Sequence, residues 1–246
     1  MRLTKSQDAY GQAVWDHYHG TPAFEIMERS DGHIALSGGP EVYLSEFPKW
    51  PRHEKAAIKQ AKGRVLDIGC NAGRHALNLQ QKGHDVVGVD ISSLALKTAR
   101  LRGLRQAQAL SITELSSGLG KFDTVLMLGN NFGLFENWTK ARWLLRRFKN
   151  FTVPGARIIA ESLDVYQTDD PDHLGYLASN RAKGRMSGQI RLRGRYKTLA
   201  TPWFDYLMVS KAEMEGISQG TGWEVKQYFD SDGPRPIYIA LLQRTD

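Results

Sequence analysis

The sequence predicts an α/β fold, a doubly wound, mostly parallel seven-stranded sheet with helices on both faces. Two observations carry this. The stretch VLDIGCNAGRH, Val65 to His75, reads as a buried strand, a turn of small residues and the start of a helix. Beyond it the pattern alternates, with strands at 64–68, 85–90, 106–112, 122–128 and 156–163 and helices at 74–82, 93–102 and 139–150. Such alternation implies parallel strands joined by crossover helices. EVKQYFDSD and PIYIALLQR supply the two closing strands.

Each element has a local reason. Gly63 punctuates the start of the first strand, and Ala76, Leu77 and Leu79 give the following helix an apolar face until Gly83 stops it. Residues 1–62 read as an N-terminal cap. SQDAYGQAVWDHYHG suits an amphipathic helix, FEIMERSDGHIALSG suits a β-ribbon turning at Ser30-Asp31-Gly32, and WPRHEKAAIKQAKG suits a helix with Pro51 in its first turn. Residues 63–164 form the alternating core. Residues 165–209 interrupt it with a polar loop and a β-hairpin. Residues 210–246 resume it, opening on the capping box Ser210-x-x-Glu213 of a helix that reaches about Gly220.

Composition narrows the classes. No stretch approaches the roughly 18–20 apolar residues that span a bilayer, and MRLTKSQDAYGQ lacks the apolar region of a secretory leader. The one cysteine, Cys70, allows no internal disulfide and no multi-cysteine metal site, so a cytoplasmic setting and no metal are expected. Charge is local. RAKGRMSGQIRLRGRYK, residues 181–197, holds seven Lys or Arg and no acid, which equals the whole formal surplus of +7.

The glycine-rich turn bounds the ligand. A dinucleotide fingerprint wants glycine at 69, 71 and 74, where this chain has Gly69, Asn71 and Arg74. The spacing present is Asp-x-Gly-x-Asn-x-Gly, from Asp67 through Gly69 and Asn71 to Gly73. Asn tolerates the left-handed turn, and Asp67 at the strand end favours a ligand with a nearby positive charge. The second strand ends VVGVDIS, with Asp90 placed 21 positions after Gly69, where a carboxylate can accept from both ribose hydroxyls. Turn and acid together indicate an adenosine-type ligand.

VLDIGCNAGRHAL, VVGVDIS and FDTVLMLGNNFGLF resemble the first, second and fourth motifs of the class I S-adenosylmethionine (SAM) dependent methyltransferases. The resemblance covers about residues 63–165, and the closing strands in pattern only. It implies SAM as cofactor, with Gly69 and Cys70 beneath its methionine part, Asn71 and Gly73 shaping the loop, and Asp67 orienting it. Asp90 would bind the ribose and Ile91 would pack on the adenine. At the third strand many members place an acid; here Ser111-Ile112 stands, so a hydroxyl or backbone N–H must substitute. Leu128, Gly129 and Asn130 would line the methyl-transfer mouth, with Asn131 on the acceptor side.

Methyl transfer from a sulfonium is an in-line displacement driven largely by alignment and exclusion of water. A general base matters for a poorly ionised hydroxyl or a protonated amine. Candidates are Glu161 near the end of the fifth strand, His75 beside the loop, and Asp205 in the insert. The Asn/Asp-Pro-Pro-aromatic signature that grips an exocyclic amino group is absent. In QIRLRGRYK, Arg191, Arg193, Arg195 and Lys197 alternate with Ile190, Leu192, Gly194 and Tyr196, which puts the cations on one face of a strand. That face, with Trp203 as an aromatic wall, is expected to belong to a lid, formed by the N-terminal helix and the 165–209 insert, over an anionic small-molecule acceptor. The alternatives are an RNA methyltransferase using the basic segment and a SAM-binding protein without chemistry. A solvated edge guarded by Lys and Arg is the simplest reading of the stripe.

Overall fold

A computed structural model describes residues 3–245. The N-terminal cap holds α1 (Ala9–Tyr18), β1 (Ile26–Arg29), β2 (Ile34–Leu36), a short α2 (Gly39–Leu44) and α3 (Arg52–Ile58). The core continues with β3 (Val65–Ile68), α4 (Arg74–Gln81), β4 (Val86–Asp90), α5 (Ser93–Leu101), β5 (Gln106–Ala109), β6 (Phe122–Met127), α6 (Trp138–Phe148) and β7 (Thr152–Leu163). The insert carries α7 (Pro171–Ala182), β8 (Gln189–Tyr196), β9 (Leu199–Ala200) and β10 (Phe204–Leu207). The chain closes with α8 (Lys211–Ser218), β11 (Trp223–Asp230) and β12 (Ile237–Arg244).

The main sheet has seven strands in the order β11-β12-β7-β6-β3-β4-β5. β3 with β4, β4 with β5, and β6 with β7 run parallel; β12 runs antiparallel to both β7 and β11. All four residues of β3 are buried, as are the first four of β4. Parallel strands covered on both faces read as unbroken apolar runs, which is why Asp67 within β3 stands out. A second sheet has the order β10-β8-β1-β2, with β9 on β8. The N-terminal ribbon and the insert hairpin therefore share one sheet, β1 pairing antiparallel with β8 from Ile26 opposite Arg195 to Arg29 opposite Leu192.

The insert departs from the expected polar loop. Its first part is the twelve-residue α7, whose N-cap Asp170 accepts from the N–H groups of Asp172 and His173, with Pro171 opening the helix. Asp-Pro is a start signal for a helix, and it stands in the sequence. The capping box at Ser210 and Glu213 is present on α8 as expected. No helix of the described residues is long and apolar enough to cross a membrane.

The chain divides into two compact units. The first comprises the segment up to Trp50, Arg64–Leu115 and Leu192–Phe204, and so holds the ribbon, β3, β4 and β5. The second comprises Pro51–Gly63, Ser116–Arg191 and the chain from Asp205 onward, and so holds β6, β7, β11 and β12.

Candidate functional site

In the first unit, the turn after β3 alternates left-handed residues: Gly69 at φ 73°, Asn71 at 47° and Gly73 at 81°. Gly69 and Cys70 both donate their N–H to the Val89 carbonyl, at 2.8 and 3.1 Å, which ties the turn to the end of β4. Gly73 is the N-cap of α4, so His75 is not a capping residue. His75 is buried instead, with Trp50 edge-on to its ring at a centroid distance of 4.8 Å; the Arg74 guanidinium stacks over the same indole at 4.9 Å.

Asp67 is 2% exposed. Burial pushes its pKa up to about 6, against the opposing pull of His75 and of the Ala76 N–H. Its Oδ2 is buried without a hydrogen-bond partner, and so is Oδ1 of Asn71. Buried acceptors seldom stay unmatched. Two of them at one turn, one on a carboxylate, fit a ligand bearing a cationic donor such as an ammonium group. Cys70 is buried and its thiol pKa is pushed up by that burial, so it fills space and is no nucleophile.

Asp90 ends β4. Its Oδ2 accepts the Asn71 N–H at 2.9 Å and its Oδ1 the Ser92 N–H at 2.8 Å. A carboxylate has about four lone-pair sites, so Asp90 keeps acceptor capacity for other donors. Burial raises the Asp90 pKa, and the backbone N–H groups of Ser92, Asn71 and Ile91 oppose the rise. Ile91 beside it is 39% exposed, an unusual setting for isoleucine. Past β5, the Ser111 N–H is taken by Glu114 Oε2 at 2.8 Å, its hydroxyl pairs with Thr113 at 2.8 Å, and Ile112 is half-buried. Glu114 thus brings an acid to this loop that the sequence reading overlooked, three positions beyond the place where an acid was sought.

The second unit holds the other candidates. Leu128 is buried; Gly129 at φ 70° and Asn130 at φ 61° form a left-handed pair, and Asn131 opens a short 3-10 turn. Glu161, 4% exposed on β7, accepts the N–H of Gly129 through Oε2 and of Asn130 through Oε1, each at 3.1 Å. The Tyr206 hydroxyl donates to the Asn130 carbonyl at 2.6 Å. His53 and Glu54, both buried in the first turn of α3, bring ligand-capable atoms within 4.8 Å of Glu161 and of each other. Sequence reasoning passed over this pair, although an adjacent His-Glu just after Pro51 was a visible signal.

The basic stripe is occupied from within. Arg193 makes two hydrogen bonds to Glu28, at 2.8 and 2.9 Å, with its guanidinium 4.6 Å over the Trp203 ring. Arg195 also pairs with Glu28 at 3.0 Å, and Lys197 with Asp16 at 2.6 Å. Arg191 and Arg185 both reach Asp205, at 3.3 and 3.4 Å. Arg193 and Arg195 hold the ribbon to the hairpin, and any external anion would compete with carboxylates already in place.

Residues 65–155 match the family model described as a methyltransferase domain. A SAM-dependent methyltransferase from Bacteroides fragilis, solved with S-adenosyl-L-homocysteine, superposes with a TM-score of 0.83 at 25% identity, covering 100% of this chain and 98% of that one. A ubiquinone biosynthesis O-methyltransferase from Dechloromonas aromatica is 36% identical over 114 residues, 44% of this chain and 47% of the relative. One from Bordetella avium is 38% identical over 68 residues, 25% of this chain and 28% of the relative. The chain thus matches less than half the length of these curated relatives. The full-length structural match and the strand-turn-helix motif with its two acids agree: residues 65–155 form a methyltransferase domain, and the chain has the fold of the class I S-adenosylmethionine-dependent methyltransferases.

Proposed function

We propose that this protein binds SAM and transfers its methyl group to a hydroxyl of a small-molecule acceptor. One observation supports the cofactor above the rest: the turn from Gly69 to Gly73 lies between two strand-end carboxylates and leaves buried acceptors on Asp67 and Asn71 for a cationic donor. In this reading Asp67 and Asn71 hold the methionine ammonium, and Gly69, Cys70 and Gly73 shape the floor beneath it. Asp90 grips the ribose, Ile91 covers the adenine, and Ser111 and Ile112 edge it. Bound SAM supplies the sulfonium methyl; the chain supplies alignment. Leu128, Gly129, Asn130 and Asn131 serve the acceptor side, with the turn held by Glu161.

The curated O-methyltransferase relatives favour a hydroxyl acceptor. The ion pairs along β8 weigh against RNA, because backbone binding needs cations free to displace counterions. Incubating the protein with labelled SAM and, in parallel, a metabolite extract and an RNA pool is the direct test. Label in small molecules alone is the expected result. Label in RNA, or thermal stabilisation by NADH and not by SAM, would overturn the proposal.

Two further outcomes follow from the turn. Asn71→Gly keeps the left-handed conformation and loses one acceptor, so binding of S-adenosylhomocysteine should weaken by no more than about tenfold. Asn71→Val loses the acceptor and adds about 1–3 kcal/mol of backbone strain, a further factor of about ten. Equal affinities for the two variants, by calorimetry, would show that this conformation is not needed for binding.

The second is a pH dependence. An ammonium group needs Asp67 ionised, and its pKa in the free protein is pushed up to about 6. Binding should be fully developed above pH 7 and fall as the pH drops through 6, reaching about a tenfold loss at pH 5. In Asp67→Asn that acid limb should vanish, with weaker binding throughout. A wild-type affinity that stays flat from pH 8 to 5 would remove Asp67 from the ammonium contact.

A further inference from the structure

The ribose acid is held from a distance. Asp8 is the N-cap of α1, where its Oδ1 accepts the Gly11 N–H at 3.0 Å. Its Oδ2 accepts the Ser92 hydroxyl proton at 2.8 Å and also lies 3.4 Å from the Leu94 nitrogen. Ser92 Oγ in turn accepts the Ala95 N–H at 2.9 Å as the cap of α5. A hydroxyl has one proton to give, and here Asp8 receives it. The Ser92 backbone N–H goes to Asp90. One serine thus sits between two carboxylates, one on the N-terminal helix and one at the end of β4.

The close approach is built into the sequence. A Cβ on Gly11 would fall 2.2 Å from Ser92 Oγ and 2.4 Å from Asp8 Oδ1, so only glycine lets α1 come this near. Asp8 is 6% and Ser92 3% exposed, which shields both hydrogen bonds from water. The Asp8 charge also contributes to the raised pKa of Asp90. Donors arriving at Asp90 would relieve that repulsion.

We propose that Asp8 is a positioning residue of the cofactor ribose site, acting through Ser92 to hold the Asp90 carboxylate with its remaining acceptor capacity turned to the ribose diol. This rests on the reading that the chain binds SAM. The N-terminal helix then belongs to the cofactor site, in addition to any part it takes over the acceptor.

A double-mutant cycle tests the coupling, with S-adenosylhomocysteine as the probe in calorimetry. Asp8→Asn keeps the shape of the side chain and can satisfy either Gly11 or Ser92 as before, but not both. It should weaken binding about fivefold to twentyfold, the effect of impairing one charge-assisted hydrogen bond. In an Asp90→Ala background the same change should cost less than about twofold, because its target is gone. An S-adenosylhomocysteine analogue lacking the 2′ and 3′ hydroxyls should bind wild type and Asp8→Asn alike. Gly11→Ala, which wedges α1 away from Ser92, should reproduce the diol-specific loss. Additive effects in the cycle, or equal losses for the probe and the deoxygenated analogue, would reduce Asp8 to a structural cap. Failure of wild type to bind the probe would instead remove the cofactor reading itself.

Discussion

Asp90→Ala is expected to cost about 2–3 kcal/mol of cofactor binding, roughly 30- to 150-fold in affinity, the loss of two hydrogen bonds from ribose hydroxyls to a carboxylate. The backbone adds to this, because the same carboxylate receives the Asn71 N–H and the Ser92 N–H. Removing it frees the turn on one side and the start of α5 on the other. Thermal shift reads the effect directly. With S-adenosylhomocysteine at about a hundred times its wild-type Kd, stabilisation should be about 2.7 kcal/mol. For a chain of this size that is about 5–10 °C in Tm. At the same concentration a hundredfold weaker variant gains only about 0.4 kcal/mol, and the shift nearly disappears. A variant that still shifts by the full amount would mean that the ribose is held elsewhere, and the assignment of Asp90 would fall.

The parts of the molecule legible in the sequence are those whose signal is local. β3 and β4 are buried on both faces and so read as apolar runs, and the acid in each, Asp67 within β3 and Asp90 at the end of β4, stands out against it. The left-handed conformation of Asn71 was legible because few side chains tolerate it. The partners of the charged groups were not. Glu28 lies 165 positions from Arg193, and nothing along β8 says that an acid on β1 will meet its cations. Period 2 groups Arg191, Arg193 and Arg195 along β8 and leaves open what they meet, while Lys197 lies past the strand's end at φ 51°. Asp8 and Ser92, 84 positions apart, were hidden in the same way, since only the close approach of α1 to α5 joins them. α7 is a different case. Its start signal was present, but its weakly segregated faces hid it among polar neighbours.

Glu161→Ala should be the most damaging single change in the second unit, in stability as well as activity. Gly129 and Asn130 both adopt the left-handed conformation, which costs most non-glycine residues about 1–2 kcal/mol and Asn less. The Glu161 carboxylate offsets that cost by accepting both N–H groups, and the Tyr206 hydroxyl secures the Asn130 carbonyl. Alanine leaves two donors without their charged acceptor and a small cavity on β7. The expected destabilisation is about 3 kcal/mol, or about 6–12 °C in Tm. Glutamine separates a turn-holding role from that of a general base. Its carbonyl oxygen can take one N–H, but its NH2 group then meets the other N–H, donor against donor. Glu161→Gln should therefore lose stability, about half as much as alanine, along with methyl transfer. A base that abstracts a proton would behave differently: the glutamine variant would keep its Tm and cofactor affinity, lose kcat, and erase the acid limb of the pH–rate profile. Intact stability with abolished kcat in Glu161→Gln would overturn the turn-holding role and return Glu161 to proton abstraction.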